Sequence, residues 1–286
     1  MNTEGYIAQR SSRREAGGPS ADKVFQQLIQ PRRVPATEPE MHLLAGATRV
    51  NTVFRGDRVA IWRWGHRGPA VLMVHGWDSR ASHLGSFVEA LLAAGYQVVA
   101  FDGPGHGESG GHHSNVVLLG QAILQVVATA GPVQAVIGHS MGSPALLYAF
   151  AHGLEVGASV HLAGPSSFRR VLERTASQTG LDAGGQRALM TLMEAETGIP
   201  VEAMELSHLA RGLRHPSLLL HDPEDREVPY EESRKLGAAW PLSTLHAVSG
   251  VGHRRILGDR SVVGLSADFL RRTLPVNGAS MQETRS

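Results

Sequence analysis

The pentapeptide Gly138-His139-Ser140-Met141-Gly142 restricts this chain more than any other stretch. It lies between the apolar run Ala135-Val136-Ile137 and a helical pattern that begins near Pro144. That context predicts a strand, a sharp turn and a helix. In such a turn the middle residue takes an unfavourable backbone and points its side chain out of the fold. The positions two before and two after must lack side chains, or the turn clashes. Ser140 is therefore a candidate nucleophile at the top of a sheet. The letters alone carry little, because 33 Gly and 23 Ser in 286 residues supply about 0.3 such matches by chance. A second match, Gly107-Glu108-Ser109-Gly110-Gly111, follows Pro104-Gly105-His106 and leads into no helix. Ser109 is read as a loop residue.

Composition narrows the function classes. With 42% apolar and 19% charged residues the chain can build a sizeable core. A net charge of +1 argues against nucleic acid or an acidic membrane as the main partner. The absence of cysteine excludes a disulfide framework, a Cys nucleophile and Cys-ligated metal. No stretch reaches the ~18 apolar residues of a spanning helix. The most apolar window, Val116 to Val127, is broken by Gly120, Gln121 and Gln125 and suits a buried helix. The N-terminal arginines precede no apolar run, so no secretory signal is read and a cytoplasmic location is the default expectation. His112-His113 has no nearby carboxylate at ligand spacing, and no metal or cofactor is expected. The oligomeric state is not readable.

Residues 1–40 are polar, with arginines at 10, 13 and 14 that form a solvated arm; only Asp22 to Ile29 has a helical pattern, with Asp22 as its cap. Two antiparallel strands are expected near His42–Val50 and Val53–Trp64. Strands and helices then alternate. Ala70–Val74, Gln97–Phe101, Ala135–Gly138, Ala158–Leu162, Ser217–His221 and Thr244–Val248 read as strands. Ser82–Ala94, Ser114–Ala130, Pro144–His152, Glu231–Trp240 and a last stretch ending near Leu274 read as helices. This alternation predicts an α/β fold: a mostly parallel central sheet with helices on both faces. It breaks between 166 and 214, where Phe168, Val171 and Leu172, then Leu189, Leu192 and Met193, then Met204, Leu206 and Leu209 form helical stripes. The expected organisation is a polar arm over 1–40, a core of 41–165 and 215–274, a helical cap over 166–214, and a mobile tail over 275–286. Met190, Met193 and Met204 fit either a small helical core or an adaptable apolar pocket.

An activated serine needs a base in hydrogen-bond reach and a group that orients the base. The chain supplies these in the order Ser140, Asp225, His253, each in a loop after a strand. In parallel sheets such loops open at one edge. Further blocks join this order: His75-Gly76-Trp77, Asp102-Gly103-Pro104-Gly105-His106-Gly107-Glu108-Ser109, Asp225-Arg226-Glu227-Val228-Pro229 and Gly252-His253. Together they resemble the α/β-hydrolase superfamily over about residues 42–165 and 215–272. The arm and the insertion lie outside the resemblance.

The resemblance implies an α/β-hydrolase fold and named roles. Ser140 is the nucleophile, His253 the general base and then acid, and Asp225 the residue that holds the His253 tautomer. The backbone N–H groups of Trp77 and Met141 form the oxyanion hole. Asp222, where the family usually has Gly, competes with Asp225 for the acid role. His75 and His139 are read as supporting residues, Asp102 as a loop-fixing carboxylate, and Arg254 and Arg255 as a solvated helix start or a substrate anion site. The implied activity is hydrolysis of carboxylic esters of small to medium apolar substrates through an acyl-enzyme. A thioesterase, lactonase or carbon–carbon bond hydrolase uses the same triad, and a non-catalytic ligand receptor uses the same fold.

Overall fold

The computed structural model describes residues 18–275. The expectations for the arginines at 10, 13 and 14 and for the tail after Pro275 lie outside the described residues. The described residues divide into two compact units, one holding Ala21–Ile29 and Phe168–Met204, the other running from Gln30 to Ser167 and resuming at Glu205.

In chain order the elements are α1 (Ala21–Ile29), α2 (Glu38–Ala45), β1 (Thr48–Phe54), β2 (Asp57–Trp64), β3 (Ala70–Val74), a 3₁₀ turn at Ala81–Leu84, and α3 (Ser86–Ala93). β4 (Gln97–Phe101), α4 (Val116–Ala130), β5 (Ala135–His139), α5 (Gly142–Ala151), β6 (Ala158–Leu162), α6 (Phe168–Thr179) and α7 (Ala183–Thr197) follow. After a second 3₁₀ turn at Val201–Met204 come α8 (Leu206–Ala210), β7 (Ser217–His221), α9 (Tyr230–Ala239), β8 (Ser243–Ala247), α10 (Gly252–Arg255) and α11 (Arg260–Thr273).

The strands form one eight-stranded sheet in the order β1-β2-β4-β3-β5-β6-β7-β8, as expected for the α/β class. β1 and β2 pair antiparallel, β2 pairs antiparallel with β4, and every later pairing is parallel. Alternate strand residues define one buried face. Val71 and Met73, Val98 and Ala100, Ala135 and Ile137, and Val160 and Leu162 share a core with Phe87, Val88 and Leu91 of α3 and Val262 and Leu270 of α11. The inner parallel strands β3 to β7 are buried on both faces, which is why β3 reads as an unbroken apolar run, while the edge strand β8 is largely exposed.

Four expectations are corrected. The first strand does not begin at His42: residues 38–45 are α2, whose start is fixed by Glu40 accepting from the Thr37 N–H at 2.7 Å and its hydroxyl at 2.8 Å, with Pro39 in the first turn. The β1–β2 hairpin instead turns on Arg55 (φ 51°) and Gly56 (φ 88°), two left-handed residues that suit a two-residue loop. The cap of α1 is Ser20, not Asp22, since Ser20 Oγ accepts from the Lys23 N–H at 3.3 Å. The long helix expected over 82–94 is a 3₁₀ turn followed by α3.

The helical unit gathers elements far apart in sequence. Val24, Phe25 and Ile29 of α1 share one buried cluster with Leu172 and Ala176 of α6, Leu189 and Met193 of α7, and Val201. Residues 21–29, read in sequence as part of a polar arm, thus belong to the helices of the 168–204 stretch, because three apolar residues on one face of α1 need a partner. Met193 is 2% exposed and sits inside this core. Among the described residues no helix is long and apolar enough to cross a membrane.

Candidate active site

The pentapeptide does what its context predicts. β5 is buried along its whole length, and the chain leaves it at Ser140 with φ 51°, a left-handed backbone that costs a non-glycine residue about 1–2 kcal/mol. The Ser140 N–H donates to the Leu162 carbonyl at 2.9 Å, and the Ser143 N–H donates to the Ser140 carbonyl at 3.0 Å, so α5 begins at once. Gly142 has to be glycine: a Cβ there would lie 2.3 Å from the Val74 carbonyl oxygen. Gly76 is equally confined, since a Cβ would stand 2.8 Å from the Ser140 Cβ. The backbone of the loop after β3 therefore runs directly beside the serine.

The residues after β7 and β8 complete the arrangement. His253 Nε2 stands 2.9 Å from Ser140 Oγ, and His253 Nδ1 stands 2.7 Å from Asp225 Oδ2. The Asp225 side chain is buried, which opposes ionisation. Hydrogen bonds from His221 and His253, the nearby His253 ring and the Val228 N–H outweigh that and hold the carboxyl well below the usual range. An ionised carboxylate only accepts, so Nδ1 of His253 carries the proton and Nε2 is left to accept from the Ser140 hydroxyl. Asp225 Oδ1 accepts from the N–H groups of Glu227 at 2.7 Å and Val228 at 2.9 Å, which fixes the carboxylate plane.

Asp222, the rival acid, faces elsewhere. Its Oδ2 accepts from the Gly252 N–H at 2.6 Å and its Oδ1 from the Glu224 N–H at 2.9 Å. Burial opposes its ionisation, but these backbone donors prevail and lower its pKa. It braces the turn that carries His253 and leaves the imidazole to Asp225.

His139 holds the same turn from the other side, donating from Nε2 to the His253 carbonyl at 2.8 Å, with the two rings 4.9 Å apart. Burial, with the neighbouring His253, pushes its pKa down to about 3, so it is a neutral donor. His75 donates from Nδ1 to the Gly76 carbonyl at 2.7 Å and accepts the Gly103 N–H on Nε2 at 2.8 Å. Its burial lowers its pKa to about 4. Both histidines support loops. His221 went unnoticed in the sequence: fully buried, it lies with Nε2 3.3 Å from Asp225 Oδ2 and 3.0 Å from the Val228 carbonyl, and Nδ1 2.7 Å from Ser233 Oγ. Both neighbours of Nε2 are acceptors, so Nε2 carries the proton. A histidine four residues before the acid is its only sequence signal.

The remaining candidates are accounted for. Asp102 accepts from the N–H groups of Ala81 and Glu108, each at 2.7 Å, and burial raises its pKa. Ser109 is 1% exposed; it donates to the Asp102 carbonyl and accepts from the Ala60 N–H at 2.9 Å. Arg254 makes a two-point pair with Glu227 at 3.0 and 3.2 Å, and Arg255 donates to the Gly250 carbonyl at 3.2 Å. No group of three or more potential metal ligands occurs among the described residues.

Met141 is the residue after Ser140, and Trp77 follows Gly76, whose backbone runs beside Ser140. Neither the Met141 N–H nor the Trp77 N–H donates to another group among the described residues. Ser140 and Met141 are half-buried, as is Trp77.

Known proteins resemble the chain in the same terms. It is 26% identical over 251 residues to a pimeloyl-[acyl-carrier protein] methyl ester esterase of Xanthomonas campestris, spanning 74% of this chain and 98% of that one. An esterase of Pyrococcus furiosus, Pf2001, superposes with a TM-score of 0.65 at 21% identity, covering 86% of this chain and 99% of that one. Est1E of Butyrivibrio proteoclasticus, solved with ferulic acid bound, gives 0.64 at 19% identity, with 78% and 98% covered. At these identities the structural likenesses speak for the fold. A sequence profile described as the alpha/beta hydrolase family matches residues 71–263, from the strand before the Trp77 loop to beyond His253. With that match over most of its length, the chain belongs to the alpha/beta hydrolase family.

Proposed function

We propose that the protein is a serine hydrolase that cleaves carboxylic esters of small to medium apolar substrates. The observation that carries this reading is the relay from Ser140 Oγ to His253 Nε2 at 2.9 Å and from His253 Nδ1 to Asp225 at 2.7 Å. Ser140 Oγ attacks the ester carbonyl as its proton passes to His253 Nε2. The imidazolium that forms is stabilised by Asp225, which stays ionised. Charge developing on the carbonyl oxygen is met by the N–H groups of Met141 and Trp77, with the α5 N-terminus behind them. Collapse of the tetrahedral adduct expels the alcohol, which takes the proton back from His253. Water, activated by the same imidazole, then releases the acid from Ser140. The methyl ester esterase relative supports ester chemistry over the thioester, lactone and carbon–carbon alternatives.

The test is turnover of a series of p-nitrophenyl esters of increasing acyl length by the wild type and Ser140→Ala. Hydrolysis by the wild type alone is expected. Equal rates from the two proteins would overturn the assignment.

A further inference from the structure

The segment just before α2 lies outside the family match, which begins at residue 71, yet it is bonded to the loops around Trp77. Asp78, the residue after Trp77, is 7% exposed and has a left-handed backbone with φ 50°. Its carboxylate receives three donors from one residue. The Arg32 backbone N–H reaches Oδ1 at 2.7 Å, while Nε and Nη2 reach Oδ2 at 2.9 and 2.8 Å. The next residue takes the loop on the other side: Arg33 donates from Nη1 to the Gly107 carbonyl at 2.7 Å and from Nη2 to the Gly111 carbonyl at 2.8 Å. That loop carries His106, whose ring lies edge-on to the Trp77 indole with centroids 5.4 Å apart. Pro31 lies against Gly105, where an added Cβ would come within 3.0 Å of Pro31 Cγ. Arg80 closes the strap by donating to the Val34 carbonyl at 3.2 Å.

We propose that residues 31–34 are a strap that positions the Trp77 N–H, with Arg32 and Asp78 as positioning residues for the oxyanion hole. The inference rests on the serine-hydrolase reading above. A lone surface ion pair holds little, because each side chain keeps its freedom and water screens it. Here the Arg32 side chain is half exposed, but the Asp78 carboxylate is almost wholly removed from water and accepts the Arg32 backbone N–H on one oxygen and two guanidinium N–H groups on the other, which fixes direction as well as distance. Fixing Asp78 fixes the left-handed turn after Trp77, and the Arg33 contacts fix the wall against its ring. An oxyanion donor acts only when it stands about 2.7–3.1 Å from the position the oxyanion takes, a tolerance of a few tenths of an ångström. Loosening it lowers transition-state binding and leaves ground-state binding of the ester nearly untouched.

The variants are Arg32→Met, which keeps the stem and removes the fork, and Arg32→Lys, which keeps the charge. Thermal unfolding first establishes that each is folded. Arg32→Met is expected to lower kcat about tenfold or more, with KM within about twofold, and to weaken a phenylboronate that forms the tetrahedral adduct by the same factor as kcat. Arg32→Lys recovers part of both losses and carries the same readouts if Arg32→Met does not fold. Amide exchange over residues 76–80 is expected to speed up in Arg32→Met. Wild-type kcat and boronate affinity in the variant would overturn the strap, as would a KM rise with boronate affinity intact. A wild type that hydrolyses no ester would instead overturn the serine-hydrolase reading. The strap is then judged by exchange alone, and unchanged rates over 76–80 refute it.

Discussion

The same five-residue pattern occurs twice in this molecule and gives two opposite outcomes. At 138–142 the serine ends a buried parallel strand, is forced to φ 51°, and presents its hydroxyl to an imidazole 2.9 Å away. At 107–111 the serine follows a left-handed glycine and is buried. Its hydroxyl is spent on the Asp102 carbonyl and the Ala60 N–H. One hydroxyl is strained and available; the other is relaxed and consumed by backbone groups that would otherwise be unpaired. The pattern gains chemical meaning only when a strand before it and a helix after it turn the side chain outward.

Substitutions sharpen that contrast. Ser140→Ala is expected to lower kcat by about 10⁶-fold, as loss of a triad nucleophile does, with little change in stability. Residual turnover near the wild-type level, measured by steady-state kinetics, would break the distinction between the loops. Asp225→Asn is expected to cost about 10⁴-fold, since the amide favours the wrong His253 tautomer. Asp222→Asn keeps an acceptor for the Gly252 N–H and should cost far less; the reverse order would return the acid role to Asp222.

Acid pH tests a property the two loops share. His139 in one and His106 in the other are buried and neutral, with pKa values pushed down to about 3, chiefly by burial. His161 is likewise held near about 3 and His75 near about 4. Unfolding restores each to its ordinary value near 6.5. Between pH 6.5 and 4 the unfolded chain therefore binds more protons, and stability falls as pH falls. Each group contributes up to about 1.4 kcal/mol per pH unit. Urea midpoints at pH 7.5 and 5 should show a steep loss; a flat profile would mean that these rings are not buried neutral. The smallest effect is Ser109→Ala. It leaves the buried Ala60 N–H without its acceptor and should cost about 1–3 kcal/mol by urea unfolding, with kcat unchanged. A large fall in kcat for a still-folded variant would contradict the structural reading of this loop.

Much of this was legible in the sequence where local pattern and tertiary demand agree. Ala70–Val74, Gln97–Phe101, Ala158–Leu162 and Ser217–His221 are short stretches rich in buried apolar residues, set between turn signals, and their ends match the observed strands. The order of Ser140, Asp225 and His253 is legible because each lies in the loop or turn after a strand of the alternation. The short apolar stretch of α2 reads as the start of a strand, although Thr37, Pro39 and Glu40 spell a helix start. The supporting role of His139 is legible but not its partner, and the roles of Arg32 and Asp222 are not legible at all. Arg32 meets Asp78 across 46 residues and His139 meets His253 across 114, and neither pairing leaves a periodicity. Contacts of that kind are set by which strand ends the sheet order brings together.

The most direct test of the central claim is covalent. The protein is incubated with a fluorophosphonate, its intact mass recorded and the modified residue located by peptide mapping. A single adduct on Ser140 is expected, absent from Ser140→Ala, with Ser109 untouched. No adduct, or one that persists in the Ser140→Ala variant, would contradict it.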